Sequence, residues 1–466
     1  MSKKIKESPV ETKKSTVKEK PVKNNDKAIN AKDLKQVQDH YLDYPYPMRN
    51  PEDDKVRLLK VYGDYLGEIN HWLFEGKKDF TKKFRVLIAG GGTGDSTVYL
   101  AEQLKDTDAE VVYLDFSKNS MDIAQKRAEY RGVKDKITWI NDSIFNIPKL
   151  KLGKFDYITC TGVLHHLESP DAGLKVLADS LTEDGGMAIM VYAQYGRTGV
   201  YQIQDMLRMI NQGVTSRQEE VKNGWAAVNA LPNTNWYKRG ADLLGDHINH
   251  GDIGMYDMFL HKQDRAYTVP QLYDFVENAG LNFVEYNSAH SRIMLKPETY
   301  FKDPEFLKKI KSLDEKTQAA ICEIMCGSII KHSFYVSKKK KPVAKFSNMD
   351  NVPCIYTIYN LPQQISDYIK ENPNLVNTRM NFSWKSDFLG DVTINITVSK
   401  YTEYLFKHMV GATKSFKEIH QGIEKDLGIK ISESEFMGEI NRIFPAMEEA
   451  GVVLLRHKDV AIDSML

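Results

Sequence analysis

Three alternating glycines and an acidic residue further along the chain form the most informative pattern in the sequence. Gly90, Gly92 and Gly94 follow an apolar run that we interpret as a buried strand, Val86–Ala89. Glycines at such a turn let backbone approach a ligand, and the helix predicted after them directs free N–H groups towards it. Asp115 lies 21 positions after Gly94, at the predicted end of a second strand. A carboxylate there can accept hydrogen bonds from both hydroxyls of a ribose, so the pattern predicts a site for a ribose-bearing cofactor.

The spacing of the glycines separates two classes of cofactor. Dinucleotide-binding enzymes use G-x-G-x-x-G, in which the third glycine follows the second by three positions. Here the order is G-x-G-x-G, and Val98 and Tyr99 stand where a further glycine would let the helix pack closely. The spacing therefore disfavours a nicotinamide oxidoreductase. The structural alternative is a plain glycine turn in an α/β protein.

Further polar residues follow later predicted strands in the same order. Asp142 and Ser143 come after the third strand, and His165 and His166 after the fourth; a turn or a helix N-cap is the alternative role for Asp142. Alternating strands and helices predict an α/β, doubly wound, Rossmann-like sheet, whose ligand lies beyond the carboxyl ends of the strands. The first five predicted strands are Val86–Ala89, Val111–Asp115, Lys136–Ile140, Phe155–Cys160 and Gly185–Tyr192.

Two long stretches interrupt the later part of this sheet. Leu281–Tyr286 and His332–Ser337 are the predicted sixth and seventh strands, the last one antiparallel. On this interpretation the domain covers residues 34–337, with insertions at 193–266 and 289–330 that would form the substrate site. Ahead of the sheet, Pro51–Phe74 has an amphipathic helical pattern. The preceding Tyr44-Pro-Tyr-Pro47 is either part of a lid over the cofactor or a packed connector.

The two ends of the chain differ from the central domain. Residues 1–32 hold ten lysines and four acids with few large apolar side chains, so 1–33 is expected to be a disordered basic tail. A charged linker, 338–348, leads to a C-terminal module, 349–466, with three predicted helices and a short strand that are winged-helix-like at 400–460. Its mixed charge disfavours nucleic-acid binding and favours protein docking or homodimerisation.

Composition bounds the class of protein. The chain has 466 residues, 42% of them hydrophobic, and a net charge of +1. No apolar run is long enough for a membrane span, and the four cysteines show no disulfide framework, so a cytoplasmic location is expected. The segment Asp246-His247-x-x-His250-x-Asp252 has metal-ligating residue types, but Asn249 and Gly251 favour a hydrogen-bonded loop, and no metal is expected.

The glycine spacing, Asp115 and the run Val163-Leu-His-His-Leu167 resemble the class I S-adenosylmethionine-dependent methyltransferases. The resemblance implies S-adenosylmethionine (SAM) as the cofactor, with Asp142 accepting from the adenine amino group. That family often has an acid two positions before the first glycine, whereas this chain has Ile88. Another group must therefore hold the methionine end of the cofactor.

The substrate half resembles two narrower groups. The run Val191–Tyr201, preceded by Tyr44-Pro-Tyr-Pro47, is similar to a bacterial subgroup of uncharacterised function, and the C-terminal module is similar to that of rickettsial protein-lysine methyltransferases. The second resemblance implies a protein acceptor, with a small molecule as the alternative. The Asn/Asp-Pro-Pro-Tyr motif of enzymes that methylate nucleobase or glutamine nitrogen is absent after the fourth strand, which disfavours those acceptors.

Transfer from a sulfonium requires alignment of the acceptor more than activation of the leaving group. His165 or His166 can take a proton from the acceptor, since imidazole titrates near neutrality; packing and helix capping are their alternative roles. Tyr192 is a further catalytic candidate, and the substrate-contact candidates are Tyr195, Arg197 and Tyr201. A rival interpretation is a SAM-binding assembly or regulatory module that has lost turnover.

Overall fold

A computed structural model describes residues 46–61, 63–355, 360–386 and 390–461. The basic tail expected at 1–33 lies outside these residues, as do Tyr44 and Pro45. Within the described chain, seven strands form one mixed sheet in the order β3-β2-β1-β4-β5-β7-β6. These strands are β1 Phe84–Ala89, β2 Ala109–Asp115, β3 Ile137–Asn141, β4 Phe155–Thr161, β5 Leu181–Tyr192, β6 Asn282–Tyr286 and β7 Lys331–Ser337.

The first five strands are parallel, and β7 runs antiparallel to both β5 and β6. Their apolar runs are buried because helices cover both faces of the sheet. The chain order reverses between β1 and β4, so the carboxyl ends of these strands flank a crevice where ligands of such sheets bind. The predicted doubly wound, Rossmann-like fold is confirmed.

Helices of the central domain alternate with the strands. In chain order they are α1 Leu66–Leu73, α2 Asp95–Gln103, α3 Lys118–Tyr130, α4 Ile147–Leu150, α5 Pro170–Ser180, α6 Val200–Ile210, α7 Arg217–Asn229, α8 Trp236–Arg239, α9 Asp246–Met255, α10 Val269–Asn278, α11 Ala289–Met294, α12 Pro297–Tyr300, α13 Pro304–Lys311 and α14 Glu315–Cys326. Helices α6 to α9 lie in the first insertion and have an apolar core of their own. Helices α11 to α14 lie in the second.

Two local predictions are wrong. The helix expected over Pro51–Phe74 is a 3₁₀ turn, Pro51–Lys55, followed by non-helical described residues and then α1. Gly63, at φ +81°, packs so tightly against Ala188 and Asn287 that a Cβ would lie 2.5 Å from the Asn287 amide nitrogen, and this turn interrupts the helical pattern. The segment expected as a hydrogen-bonded loop around His250 lies in α9, which is kinked at Gly251.

The C-terminal module packs against the central domain through α1. Its elements are β8 Asn351–Ile355, α15 Leu361–Glu371, β9 Arg379–Ser386, β10 Gly390–Thr397, α16 Thr402–Met409, α17 Phe416–Leu427, α18 Glu433–Glu449 and β11 Val453–His457. The buried His71 ring accepts from the backbone N–H of Leu455 through Nδ1, at 2.9 Å, and Nε2 lies 2.9 Å from Glu448. The three predicted helices are present; the winged-helix likeness stays a prediction.

None of the helices in the described residues combines the length and apolarity that crossing a membrane would require.

Candidate functional site

The turn after β1 has a conformation that its glycines make accessible. Gly90, Gly92 and Gly94 have φ angles of +81°, +49° and +99°. A Cβ on Gly90 would lie 2.4 Å from the Val163 side chain. The turn is held by N–H groups of Gly90 and Gly91 that donate to the Leu114 carbonyl at 2.8 and 3.1 Å. Backbone therefore lines the crevice directly, and α2 begins beside it at Asp95.

Asp115 ends β2 with its carboxylate fixed on both oxygens. The N–H of Gly92 donates to Oδ2 at 2.8 Å, and the N–H of Ser117 donates to Oδ1 at 2.7 Å. Burial raises the pKa of Asp115, and these two hydrogen bonds oppose the rise. Each carboxylate oxygen can accept a further hydrogen bond, so the group is oriented to receive two neighbouring hydroxyls.

Asp142 and Ser143 follow β3, the next strand in the sheet. Asp142 Oδ1 accepts from the backbone N–H of Ser143 and from the amide of Asn146, both at 2.7 Å. The Asn146 and Ser143 hydrogen bonds lower the pKa of Asp142, so it is ionised at neutral pH. Ser143 also accepts from the N–H of Phe145 and caps a 3₁₀ turn. Both residues line the same crevice as Asp115.

A network of ion pairs holds the segment before α1 over the glycine turn. The Arg49 guanidinium donates to both oxygens of Asp95, at 2.7 to 3.2 Å, and Thr93 Oγ1 donates to the Pro47 carbonyl at 2.7 Å. Arg127, which is buried, pairs with Asp95 and with Asp54, both at 2.6 Å. Burial opposes the ionisation of Asp95, but the two arginines outweigh it and lower its pKa.

These elements enclose a cavity of about 480 Å³, within the range typical of small-molecule sites. One end is bounded by the glycine turn and the acids after β2 and β3, and the other by residues of β4, β5 and the first insertion. Its wall includes Tyr46, Pro47, Arg49, Val61, Ile88, Gly90, Gly92, Gly94, Ser96, Asp115, Asp142, Ser143, Thr159, Val163, His166, Tyr192, Arg197, Leu243, Leu244, Asp257 and Lys331.

Three histidine rings pack against one another, with tilted ring planes, beside the second end of the cavity. His166 lies 4.1 Å from His165 and 4.0 Å from His261, measured between ring centroids. His166 Nδ1 lies 2.9 Å from the Gln263 carbonyl, which only accepts, so Nδ1 carries the proton. Nε2 of the neutral ring is then an acceptor. This ring forms part of the cavity wall.

His165 has a different environment. It is 1% exposed, and neither ring nitrogen has a hydrogen-bond partner among the described residues. Burial lowers its pKa well below the usual value, and His166, Arg197 and His261 lower it further. It does not belong to the cavity wall that the described residues form. Its ring packs against Tyr192, 4.1 Å away, and so supports the wall from behind.

Tyr192 and Arg197 form a buried polar cluster with two acids of the first insertion. The Arg197 guanidinium lies 3.7 Å from the centre of the Tyr192 ring and 3.5 Å from Asp264. Burial disfavours its charge, but the surrounding Tyr192, Tyr201 and Asp264 outweigh this and raise its pKa. The Tyr192 hydroxyl donates to Asp257 at 3.5 Å. Burial and Asp257 hold the pKa of Tyr192 well above its usual value.

The structure brings together most of the residues predicted from sequence. Nine of the twelve candidates belong to the cavity wall, namely Gly90, Gly92, Gly94, Asp115, Asp142, Ser143, His166, Tyr192 and Arg197. His165, Tyr195 and Tyr201 are outside that wall, although the Tyr201 hydroxyl accepts from Arg197 at 3.3 Å. Sequence reasoning missed Arg49, Leu243, Asp257 and Lys331, which stand in no recognisable motif.

Comparisons with known proteins agree with this fold. Residues 87–187 match the family model described as a methyltransferase domain. An uncharacterized protein of Synechococcus sp. is 32% identical over 273 residues, 58% of this chain and 63% of that protein. The tRNA 5-carboxymethoxyuridine methyltransferase of Escherichia coli is 30% identical over 155 residues, 32% of this chain and 58% of that protein. The chain thus spans less than two thirds of each of these relatives.

Among solved structures, PKMT2 from Rickettsia typhi in complex with AdoHcy has a TM-score of 0.58 at 17% identity, covering 85% of this chain and 75% of that one. This likeness shows a shared fold over most of the chain. Taken together, the family match shows a methyltransferase domain at residues 87–187, and it lies within this shared fold.

The residues present fit SAM, the cofactor that the sequence resemblance implies. Asp115 has two oriented acceptors that suit ribose hydroxyls, and the glycine turn lines the cavity with backbone. Asp142 follows the neighbouring strand and lines the same cavity.

Proposed function

We propose that this protein transfers the methyl group of SAM to an acceptor bound at the Tyr192 end of the cavity. The observation that carries the proposal is the single cavity that joins Asp115 and the glycine turn to a buried polar cluster. SAM supplies a methyl group already activated by the positive charge of its sulfonium. The protein then has to hold the acceptor in line and exclude water.

The two ends of the cavity would divide this work. Asp115 would accept from both ribose hydroxyls, and Asp142, with Ser143 beside it, from the adenine amino group. The segment Tyr46–Arg49, held by Asp95, would close over the cofactor and keep water out. These assignments are supported by the hydrogen bonds that fix both carboxylates in the cavity wall.

His166 is our candidate for the base that removes a proton from the acceptor. Its Nδ1 proton is held by the Gln263 carbonyl, which leaves Nε2 able to accept. It belongs to the cavity wall, whereas His165 lies behind that wall and is kept neutral by burial. Tyr192 and Arg197 would orient the acceptor, with Tyr195 and Tyr201 supporting them from outside the wall.

For the acceptor we propose a protein side chain, with a small molecule as the alternative. The sequence resemblance of the C-terminal module to that of rickettsial protein-lysine methyltransferases supports a protein. Leu243 supports a protein as well. It belongs to the cavity wall and is 48% exposed, so the cavity opens to the surface beside an apolar side chain. We further propose that the protein acts in the cytoplasm and that its C-terminal module docks a protein or a second copy of the chain.

Labelling in a cell lysate tests the proposal. The purified protein would be incubated with extract of its own cells and SAM carrying a radiolabelled methyl group. We expect label in a discrete protein band or small-molecule fraction, and much less of it with Asp115→Ala when SAM is kept below saturation. Absence of label across several extracts, together with intact SAM binding, would instead support a SAM-binding module without turnover.

A further inference from the structure

The carboxyl of Asp64 lies near the cavity and has no role in the function proposed above. It stands between Gly63 and α1 and is fully buried. Its Oδ1 lies 2.8 Å from the Tyr157 hydroxyl, but that hydroxyl also lies 2.6 Å from the Gly63 carbonyl and has one proton for both acceptors. Oδ2 has no hydrogen-bond partner among the described residues. Hydroxyl groups nearby lower the pKa of Asp64 but do not outweigh its burial, and no cation is among the described groups that act on it. A buried carboxyl without a cation beside it is costly to the fold.

The position of Asp64 relates it to the cavity. The hydroxyls of Ser96 and Thr159 lie close enough to Asp64 to act on its pKa, and both residues belong to the cavity wall. Thr159 of β4 is the register partner of Ile88 of β1, another wall residue. The carboxyl therefore lies directly behind the wall at the carboxyl ends of β1 and β4.

The strand order indicates which part of the cofactor would lie there. Asp142 follows β3 and Asp115 ends β2, so adenine and ribose would lie over those strands. The sheet continues with β1 and then β4, so the amino acid end of the cofactor would extend over these two strands. That end carries an α-ammonium, and the wall residue of β1 nearest to it, Ile88, has no charge to offer.

Building on the proposed function, we propose that Asp64 binds the α-ammonium group of SAM and compensates for the apolar Ile88. The ammonium would supply the cation that the carboxyl lacks, from a position beside the wall residues Ser96 and Thr159. The surrounding ionisable groups do not provide that charge, because Glu68, Tyr99, Tyr157 and Tyr335 are acids or phenols. The cation Arg292 lowers the pKa of Glu68, so its charge acts on that neighbouring carboxyl.

Calorimetric titration of two ligands tests this role. S-adenosylhomocysteine retains the α-ammonium, whereas 5′-methylthioadenosine lacks the whole amino acid end. For Asp64→Asn at pH 7.5 we expect S-adenosylhomocysteine to bind roughly 10- to 100-fold more weakly, as for loss of a charged hydrogen bond, and 5′-methylthioadenosine to bind within about twofold of wild type. Glu68→Gln, the neighbouring buried acid, is the matched control and should show no ligand-selective loss.

The outcomes separate this inference from the proposed function. Unchanged S-adenosylhomocysteine affinity in Asp64→Asn, or equal losses for both ligands, would overturn the Asp64 assignment, because a structural role affects both. Wild-type protein that binds neither ligand would overturn the proposed function itself. A second measurement needs no variant: the wild-type preference for S-adenosylhomocysteine should fall when the pH drops below about 6, where Asp64 becomes protonated. A preference that is constant between pH 5 and pH 8 would also overturn the assignment.

Discussion

The two ends of the cavity are built in different ways. The proposed cofactor end, at the glycine turn and Asp115, uses backbone and short side chains at strand ends, and its acids lie on adjacent strands with their oxygens fixed by neighbouring N–H groups. The proposed acceptor end, around Tyr192, uses long side chains from distant parts of the sequence. Tyr192 comes from β5, Asp257 from the first insertion and Lys331 from the start of β7.

This difference separates the contacts that the sheet provides from the contacts that the insertions provide. A nucleoside needs the same hydroxyl and amide partners whatever the acceptor is, so the sheet can provide them directly. The acceptor end depends on an insertion with its own apolar core, and its polar groups pair mainly with one another. Specificity for the acceptor is therefore expected to reside in residues 193–266 rather than in the sheet.

The largest expected effect is on turnover at the acceptor end. His166→Asn should lower kcat by roughly 10²- to 10⁴-fold, the usual contribution of a general base, while S-adenosylhomocysteine affinity stays near wild type. The measurement is single-turnover methyl transfer to the acceptor found by labelling. His165→Phe, which keeps the ring volume behind the wall, is the control and should retain most activity. Equal losses in both variants would remove the distinction between the two histidines.

The next largest expected effect is a change with pH in the free energy of unfolding, caused by Asp64. Burial raises the pKa of Asp64 from 3.8 to about 6, with Ser96, Tyr157 and Thr159 opposing the rise. The folded protein thus favours the protonated carboxyl, and stability is lost as the pH rises from about 4 through 6. At about 1.4 kcal/mol per pKa unit, the penalty at pH 7.5 is about 3 kcal/mol.

Chemical denaturation without ligand checks this value. Asp64→Asn should be more stable than wild type at pH 7.5 and equal to it near pH 4. Saturating S-adenosylhomocysteine should stabilise wild type more than the variant. A variant less stable than wild type at pH 7.5 would show that the carboxylate is compensated within the fold.

Loss of the ribose acceptor should have a smaller effect. Asp115→Ala is expected to weaken S-adenosylhomocysteine binding by about 1–3 kcal/mol, because two charge-assisted hydrogen bonds disappear. Calorimetry measures it, with the exposed Asp122→Ala as the control. Affinity equal to wild type would remove Asp115 from the cofactor end.

The smallest expected effect concerns the segment Tyr46–Arg49, which is proposed to close over the cofactor. The Arg49–Asp95 pair is partly exposed, so Arg49→Ala should cost less than about 1 kcal/mol and speed release of S-adenosylhomocysteine a few-fold. Stopped-flow release measures the rate, and Lys55→Ala, which removes an exposed pair with Glu52, is the control. Unchanged release would mean that this segment does not close the cavity.

The same contrast explains how much the sequence predicted. Gly90, Asp115 and Asp142 follow recognisable strands, and parallel strands bring their carboxyl ends together, so the cofactor end could be predicted from local patterns. Asp257 and Leu243 could not be, because an insertion places them by its own packing. Asp64 was not predicted, for a different reason. It lies in a segment that was wrongly predicted as helix, and the residues around it come from β4 and α2.

The cavity is proposed to bind SAM through its nucleoside and amino acid parts. Calorimetric titration of wild-type protein with S-adenosylhomocysteine, and separately with NADH, measures this binding. We expect one saturable site with micromolar affinity for S-adenosylhomocysteine and no measurable binding of NADH. Tight NADH binding without S-adenosylhomocysteine binding would contradict it.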